Sequence, residues 1–320
     1  MKKKRIMAIA AVLCMAFGLG ALSSCGVKDD GKINVVVTIF PEYDWVMNVV
    51  GEKSDKFSVT WLLNGVTDLH SYDPSVSELV KVYNADIFIY VGGESDGWAK
   101  ETLASGNVKK DMRILNLMDI LGSDVKEEEI KEGMQADDGE DKEYDEHVWL
   151  SLKNAAIFVD KIAEAICSVD SENSGEYLRN AKDYKEKLSA VDSEYRAAVS
   201  GATKNALVFA DRFPFRYMTD DYSLDYYAAF VGCSAESAAK PETITFLASK
   251  VDELGLNVIL TIERSDGRIA QTVKASTTAK NQAILAMNSM QSITEREYKD
   301  GINYLSVIRS NLEVLKRALA

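Results

Sequence analysis

The residues best suited to chemistry in this chain of 320 residues are its two histidines, His70 and His147. Asp68 stands two positions before His70, and Asp145 and Glu146 directly precede His147. Imidazole is the commonest metal ligand in proteins, and a carboxylate that contacts the second ring nitrogen orients the ring. A lone histidine is more often structural than functional. The acidic residues close to both histidines nevertheless suggest a site for a divalent metal.

The charge of the chain excludes one class of partner, the nucleic acids. The formal net charge is −13, and removal of the four basic residues at positions 2–5 makes it −17. Such a surface repels phosphate backbones and carries no basic stripe. A strongly acidic protein suits cations better than anions, which agrees with a metal site.

The first 32 residues predict export and attachment to a membrane. A basic start, an apolar run over Ile6–Leu22 and small residues before a break are typical of a secretory signal peptide, here residues 1–24. Leu22-Ser23-Ser24-Cys25 is similar to a bacterial lipobox. That similarity implies that Cys25 is acylated and holds the mature protein at the outer face of the cell membrane or in the periplasm. Residues 25–32 are predicted to be a polar tether.

Cysteine usage gives no disulfide framework. Cys14 falls in the signal peptide and Cys25 at the lipid site, so only Cys167 and Cys233 remain in the folded part. These two can pair or stay as buried thiols, and both possibilities remain open.

The remaining residues are enough for two α/β lobes of ordinary size. Apolar runs such as Ile33–Ile39 and Asp86–Val91 alternate with helical segments such as Ser75–Tyr83, and the alternation resumes in the second half. Strands that alternate with helices form parallel sheets covered on both faces. We predict an N-terminal lobe over residues 33–170 and a C-terminal lobe over residues 204–320. Ligands of such sheets bind beyond the carboxyl ends of the strands, which here means the cleft between the lobes.

One long, rigid helix over residues 171–203 is predicted to join the lobes. Its apolar and aromatic positions recur at spacings of three, four or seven, which places them on one helical face. They are Tyr177, Tyr184, Leu188, Val191, Tyr195 and Val199.

An acidic stretch over residues 122–146 precedes the second histidine. Twelve of its residues are Asp or Glu, and its apolar content is low. This composition predicts a mobile surface loop. The loop could concentrate cations, although a solvated run of charge is the simpler interpretation.

One segment around each histidine resembles a motif of the zinc/manganese-type (cluster A-I) solute-binding lipoproteins of ABC importers. The segments are Asn64–Ser75, NGVTDLHSYDPS, and Asp145–Leu150, DEHVWL. Asn84–Gly93 is similar to the segment that follows the first motif, and the acidic stretch lies where many members carry a variable metal-rich loop. The resemblance runs from about residue 33 to the C-terminus and weakens beyond residue 200. It implies two α/β lobes with a metal in the cleft between them.

The second half of the chain departs from the pattern of that family. The resemblance places a third histidine within Val208–Phe215, where none occurs, and a carboxylate close to Asn288, whose amide oxygen is a weaker ligand for Zn²⁺. We favour Asp211 as the replacement because it lies in the segment without the histidine, although an ion pair with Arg212 or a capping role is its simpler interpretation. The other candidates are Glu263, for which a supporting role is simpler, Glu236 and Cys233.

The resemblance implies an extracytoplasmic protein that captures a divalent transition metal and delivers it to the permease of an ABC importer. Two imidazoles with one or two oxygens suit tetrahedral Zn²⁺, and the same donors with more oxygen suit Mn²⁺. Zinc is therefore the expected metal and manganese the alternative. We expect a monomer that is not an enzyme.

Two other classes of function stay open. The missing third histidine allows a family member that has lost metal binding and binds another solute or acts as an adhesin. A metal-dependent hydrolase needs an open metal position and a placed base. Neither a His-Glu-x-x-His motif nor a nucleophile elbow occurs in the sequence, which weakens the hydrolase hypothesis.

Overall fold

A computed structural model describes residues 31–65, 68–135, 143–234 and 238–320. Ile33–Ala320 is one compact unit, and both predicted lobes belong to it. The predicted signal peptide, Cys25 and Glu236 lie outside the described residues. Among the helices that are described, none is long and apolar enough to cross a membrane.

The first lobe is built on a four-stranded parallel sheet. Its strands are β1 (Ile33–Val37), β2 (Phe57–Trp61), β3 (Ile87–Tyr90) and β4 (Arg113–Asn116), in the spatial order β2-β1-β3-β4. All residues of β3 are buried, as a strand covered on both faces requires. Val37 pairs with both Trp61 and Ile89, so the carboxyl ends of three strands meet at one edge of the sheet.

Helices α1 to α5 accompany this sheet. They are α1 (Phe40–Val50), α2 (Val76–Tyr83), α3 (Gly97–Ala104), α4 (Leu117–Leu121) and α5 (Leu152–Val169). The predicted capping box begins α2: the Ser75 hydroxyl accepts from the Glu78 backbone N–H, and the Glu78 carboxylate accepts from the Ser75 N–H at 2.8 Å. Such reciprocal bonds satisfy N–H groups that have no partner inside the helix.

The long helix α6 (Ser174–Ser200) connects the two halves of the fold. At about 1.5 Å per residue, its length is roughly 40 Å. Most of the predicted stripe is buried along it. The Tyr184 hydroxyl donates to Asp44 in α1 at 3.0 Å, and the Tyr195 hydroxyl donates to the Ile308 carbonyl in the C-terminal helix at 2.7 Å. The helix is therefore bonded to both lobes.

The second lobe repeats the strand order of the first. Its strands are β5 (Ala206–Phe213), β6 (Asp225–Val231), β7 (Val258–Ile262) and β8 (Ala283–Met287), in the order β6-β5-β7-β8 and all parallel. The pairing of β5 with β6 is irregular between Phe209 and Arg212. The helices of this lobe are α7 (Arg216–Tyr222), α8 (Pro241–Glu253), α9 (Arg268–Ser276), α10 (Glu295–Lys299) and α11 (Tyr304–Ala318).

The apolar core is shared by the two lobes. Its larger buried cluster runs from β1 to α11, and Trp45 of α1 packs edge-on against Tyr304 of α11 with ring centroids 5.3 Å apart. A smaller cluster lies around β5, β6, α8 and α9. The larger cluster makes the first lobe, α6 and the C-terminal helix one packed body.

Part of the acidic stretch is not the mobile surface loop that its composition predicts. Residues 125–135, here called the strap, lie along the second lobe. The Gln135 N–H donates to the Ala229 carbonyl of the edge strand β6 at 2.9 Å, and Glu129 pairs with Arg216. An open strand edge and a cation thus give this charged segment partners that composition alone does not reveal. Residues 136–142 of the stretch lie outside the described part of the chain.

Candidate metal centre

His70 lies on a short 3₁₀ turn, Leu69–Ser71, between β2 and α2. The Asp68 carboxylate accepts from the His70 backbone N–H at 3.1 Å, and Leu69 is buried beneath the turn. The Nδ1 atom of the His70 ring is hydrogen bonded to the Ser95 hydroxyl at 2.8 Å. The opposite ring nitrogen, Nε2, is thereby turned towards the second histidine.

His147 precedes the 3₁₀ turn that leads into α5, and its side chain is completely buried. The Asp145 carboxylate accepts from the His147 backbone N–H at 2.8 Å and lies 2.9 Å from ring Nδ1. Trp149 packs against the ring with centroids 5.2 Å apart. A carboxylate on Nδ1 fixes the tautomer, so the lone pair of Nε2 is available to a metal.

The two rings converge, as the sequence predicts. Their Nε2 atoms are 3.3 Å apart, and the ring centroids are 5.3 Å apart. In a tetrahedral zinc site with Zn–N bonds of about 2.0–2.1 Å, two nitrogens lie about 3.3–3.4 Å from each other. The separation of the two nitrogens is therefore that of two ligands on one zinc ion.

A thiol completes a group of three. Cys233 follows β6, and its Sγ atom and the ring nitrogens of His70 and His147 all lie within 4.8 Å of one another. This is the one such group of His, Cys, Asp and Glu side chains found within the described ranges. Cys233 and Cys167 are both free thiols, which resolves the question of whether they pair.

The structure does not bring Asp211 or Glu263 into this group, contrary to the expectation for the second half-site. The Asp211 carboxylate accepts from the Arg212 N–H at 2.9 Å, in the irregular part of β5. The Glu263 carboxylate accepts from the backbone N–H and the hydroxyl of Ser289, at 2.7 and 2.8 Å. Asn288 uses its side-chain oxygen to accept from the Met290 N–H.

The two imidazoles differ in the direction of their pKa shifts. Burial and the neighbouring His147 ring lower the pKa of His70 to about 3. Burial also opposes protonation of His147, but Asp145, Glu146 and Glu128 together outweigh it and raise the pKa of His147. His70 is thus neutral near pH 7, as a metal ligand must be, while any proton on His147 is released when a metal binds.

Glu146 lies beside the Nδ1 side of the His70 ring and bonds the loop that carries Ser95. Its Oε1 accepts from the backbone N–H groups of Glu94 and Ser95, at 2.6 and 3.0 Å. Its Oε2 lies 3.8 Å from the His70 Nδ1 atom. Gly93 makes this approach possible, because a Cβ there would lie 2.2 Å from Glu146 Oε1 and the backbone φ is +78°.

Arg212 connects the loop that carries His70 to the turn that carries Cys233. Its guanidinium donates to the Asp68 carboxylate at 2.7 Å and to the Ser234 carbonyl at 3.4 Å. Asp68 holds the backbone of His70, and Ser234 follows Cys233. Sequence reasoning missed this role of Arg212, and also those of Ser95 and Glu128, because each lies far along the chain from the histidine or cysteine it serves.

A cavity of about 590 Å³ lies beside the group, in the cleft between the lobes. Asp68, His70 and Ser71 line it from the first lobe. Its other walls include Asp211 and Glu263 of the second lobe. His70, Asp211 and Glu263 therefore share one cleft, although neither carboxylate belongs to the group of His70, His147 and Cys233.

Known proteins resemble this chain along nearly its whole length. Residues 35–318 match the family described as "ZnuA: Zinc-uptake complex component A periplasmic". "Zinc-binding lipoprotein AdcA" of Streptococcus pneumoniae is 29% identical over 316 residues, which cover 98% of this chain and 61% of the relative. "High-affinity zinc uptake system protein ZnuA" of Bacillus subtilis is 26% identical over 318 residues, which cover 97% of this chain and 96% of the relative. This chain therefore spans about three fifths of the AdcA relatives.

Solved structures confirm the predicted fold of two α/β lobes with a long helix between them. The Zn(II)-bound ZnuA-like domain of Streptococcus pneumoniae AdcA has a TM-score of 0.71 at 26% identity, and the match covers 90% of this chain and 99% of that one. The metal-dependent lipoprotein YcdH of Bacillus subtilis has a TM-score of 0.73 at 23% identity, with coverage of 90% and 99%. The second likeness concerns the fold alone.

Proposed function

Since this chain belongs to the family of periplasmic zinc-uptake component A proteins, we propose that it captures zinc outside the cytoplasm and delivers it to an ABC importer. The family is one of solute-binding proteins, so the proposed activity is binding and release, without catalysis. The names of the relatives AdcA and ZnuA support zinc as the metal. Manganese is the alternative.

One observation carries this proposal, the 3.3 Å separation of the Nε2 atoms of His70 and His147. Both Nδ1 atoms contact protein oxygens, of Ser95 and Asp145 respectively. Each ring therefore has one nitrogen left for a metal, and these two nitrogens already lie at the spacing that a tetrahedral ion requires. A site that needs little rearrangement loses little binding energy to ordering its own side chains.

The position of the pair supports a carrier. His70 belongs to the first lobe and lines a cleft whose other walls come from the second lobe. An ion held there biases the lobes towards one arrangement, and a permease can distinguish that metal-loaded form from the metal-free form.

We propose further that the protein acts as a monomer held at the outer face of the cell membrane by a lipid on Cys25. The lipobox-like sequence Leu22-Ser23-Ser24-Cys25 supports the anchor. Cys25→Ala should move the protein from the membrane fraction to the medium or periplasm. Unchanged membrane association would contradict the anchor without bearing on the metal site.

Equilibrium zinc titration against a competing chelator tests the function. His70→Ala, His147→Ala and the double variant should each lose more than the roughly 10- to 100-fold that removal of an outer hydrogen-bond partner costs, because a ligand itself is lost. Ser71→Ala, which alters the same cavity wall, should bind zinc like the native protein. Circular dichroism separates loss of affinity from loss of fold. Native zinc affinity in the double variant would refute the proposed site.

A further inference from the structure

We propose that the Cys233 thiolate is the third protein ligand, so that the metal is held by two imidazoles and one sulfur. The inference rests on the proposed function and specifies the chemistry of its site. Three ligand atoms from three separate segments meet here, and two of them already have the spacing of zinc ligands. The third ligand therefore comes from the segment that follows β6, rather than from Asp211 or Glu263.

The geometry fits a zinc ion with small adjustments. With Zn–S of about 2.3 Å and Zn–N of about 2.0–2.1 Å, a sulfur and a nitrogen on one tetrahedral ion lie about 3.6 Å apart. The Sγ atom of Cys233 and the ring nitrogens lie within 4.8 Å of one another. A shift of the order of 1 Å closes that gap, which rotation of one side chain can provide.

The backbone brings Cys233 close to the histidines. Gly232 precedes it, and a Cβ at Gly232 would lie only 3.0 Å from the Cε1 atom of His147. The absence of a side chain at this position therefore lets the chain after β6 approach the buried ring. The parallel sheet contributes as well, because Cys233 lies just beyond the carboxyl end of β6, where ligands of such sheets bind.

Two charged side chains hold the cysteine in place. The Glu128 carboxylate, from the strap, accepts from the Cys233 backbone N–H at 3.0 Å. Arg212 donates to the carbonyl of the next residue, Ser234, while its other nitrogen bonds Asp68 below His70. The turn after β6 is thus fastened to the strap and to the loop of the first histidine. Fixed ligands with outer hydrogen-bond partners are the usual construction of a metal site.

The competing carboxylates are engaged elsewhere. Asp211 accepts from two backbone N–H groups, those of Arg212 and Ile262, at 2.9 and 3.5 Å. Glu263 accepts from Ser289 through both of its oxygens. To bind the metal, either side chain would have to give up these bonds. Cys233 would release its thiol proton to solvent, and with it the hydrogen bond from the thiol to Glu128, as the metal–sulfur bond forms.

A thiolate changes which metals the site prefers. Sulfur ligands select zinc, and soft metals generally, whereas Mn²⁺ prefers oxygen. A site of two imidazoles and one thiolate should therefore discriminate against Mn²⁺ more strongly than a site of two imidazoles and carboxylates. The inferred cargo is a borderline or soft divalent cation such as Zn²⁺.

Cobalt substitution of the mature protein tests the inference directly. The native protein loaded with Co²⁺ should show the near-ultraviolet charge-transfer band of a cobalt–thiolate bond. Cys167→Ser is the matched control, since Cys167 is the other free thiol among the described residues, and it should keep the band. Cys233→Ser should still bind Co²⁺ through the histidines but lose the band. Its zinc affinity should fall roughly tenfold or more, while its Mn²⁺ affinity changes little.

Zinc X-ray absorption of the native protein provides a second readout that needs no variant. One sulfur neighbour at about 2.3 Å supports the inference, and a shell of nitrogen and oxygen alone overturns it. Retention of the cobalt band in Cys233→Ser also overturns it. In both cases zinc binding that depends on His70 and His147 leaves the proposed function standing. Failure of the native protein to bind zinc would refute the function itself.

Discussion

At the scale of single residues, the candidate site depends on which ring nitrogen of each histidine does not contact a protein oxygen. The Asp145 carboxylate lies 2.9 Å from His147 Nδ1, and the Ser95 hydroxyl lies 2.8 Å from His70 Nδ1. The partner of the fully buried His147 ring is a carboxylate, whereas the partner of the His70 ring, which is 13% exposed, is a hydroxyl. We therefore expect Asp145 to contribute more to metal affinity than Ser95.

Asp145→Asn should lower the zinc affinity about 10-fold, and at most about 100-fold. The amide oxygen can still accept from the His147 backbone and ring, so the fold is kept, but the negative charge that strengthens the imidazole as a donor is lost. Competition titration measures the effect. Asp183→Asn on the exposed side of α6 removes one charge far from the cleft and should leave the affinity unchanged. Equal affinities of the two variants would show that the charge of Asp145 is not used.

Residue types and local spacing predicted two of the three residues of the candidate site, His70 and His147. The acidic neighbours of His70 and His147 are adjacent in sequence, so the outer partner Asp145 was visible without a structure. Cys233 was only one of several alternatives, because its approach depends on the small Gly232 and on Glu128 from the strap. Such contacts between distant segments leave no periodic or spacing signal.

At the scale of elements, the strap explains how an acidic segment can be ordered. Glu129 pairs with Arg216, and the Lys131 amine lies 4.1 Å from the centroid of the Tyr226 ring. Hydrogen bonds to the edge strand β6 add to these contacts, as from Gln135. Composition predicted a loop because it counts charges without their partners. The helices were predicted more closely, since capping residues and apolar periodicity are local.

Gly133→Ala should loosen the strap. Gly133 has φ of +82°, and a Cβ there would lie 2.0 Å from the Phe246 ring of α8. Hydrogen exchange should become several-fold faster in residues 125–135 and in the turn at Cys233, whose N–H is held by the strap. Gly106→Ala is the control, because Gly106 has φ of +73° with nothing within 4 Å of the added atom.

This comparison separates two effects of the added methyl group. Both glycine variants strain a positive φ, but only the one at Gly133 meets another side chain. Equal exchange rates in the strap of both variants would contradict the docking of residues 125–135 on the second lobe. A change confined to Gly133→Ala would instead link the strap to the order of the turn that carries Cys233.

At the scale of the whole molecule, the lobes are coupled by buried polar groups as well as by the shared core. Asp44 of α1 accepts from the Tyr184 hydroxyl of α6 at 3.0 Å and from the Tyr304 N–H of α11 at 3.3 Å. Burial raises the pKa of Asp44 to about 6. The alternation of strands and helices predicted both lobes and α6, but no sequence pattern predicted that one carboxyl group would join three helices.

Buried carboxyl groups should make the unfolding free energy depend on pH. Burial, and next the charge of Asp96, raise the pKa of Glu42 from 4.5 to about 8. Below pH 4.5 this group is protonated in both the folded and the unfolded chain. Between pH 4.5 and about 8 the unfolded chain releases the proton while the folded protein retains it, so the contribution of Glu42 to stability falls as the pH rises.

Glu42→Gln should remove this loss of stability at rising pH. Oε2 of Glu42 accepts from the Thr38 and Ile39 backbone N–H groups at 2.7 and 3.2 Å, and the amide oxygen of glutamine can take its place at the start of α1. Each unit of pKa shift corresponds to about 1.4 kcal/mol, so the variant should gain on the order of a few kcal/mol relative to the native protein between pH 5 and pH 8. Denaturant unfolding of both proteins in chelator, which excludes metal linkage, measures the difference, and Glu52→Gln at an exposed position controls for the loss of one charge. Parallel stability curves for the native protein and Glu42→Gln would mean that Glu42 is ionised in the folded state. The buried start of α1 would then tolerate a negative charge that burial and Asp96 oppose.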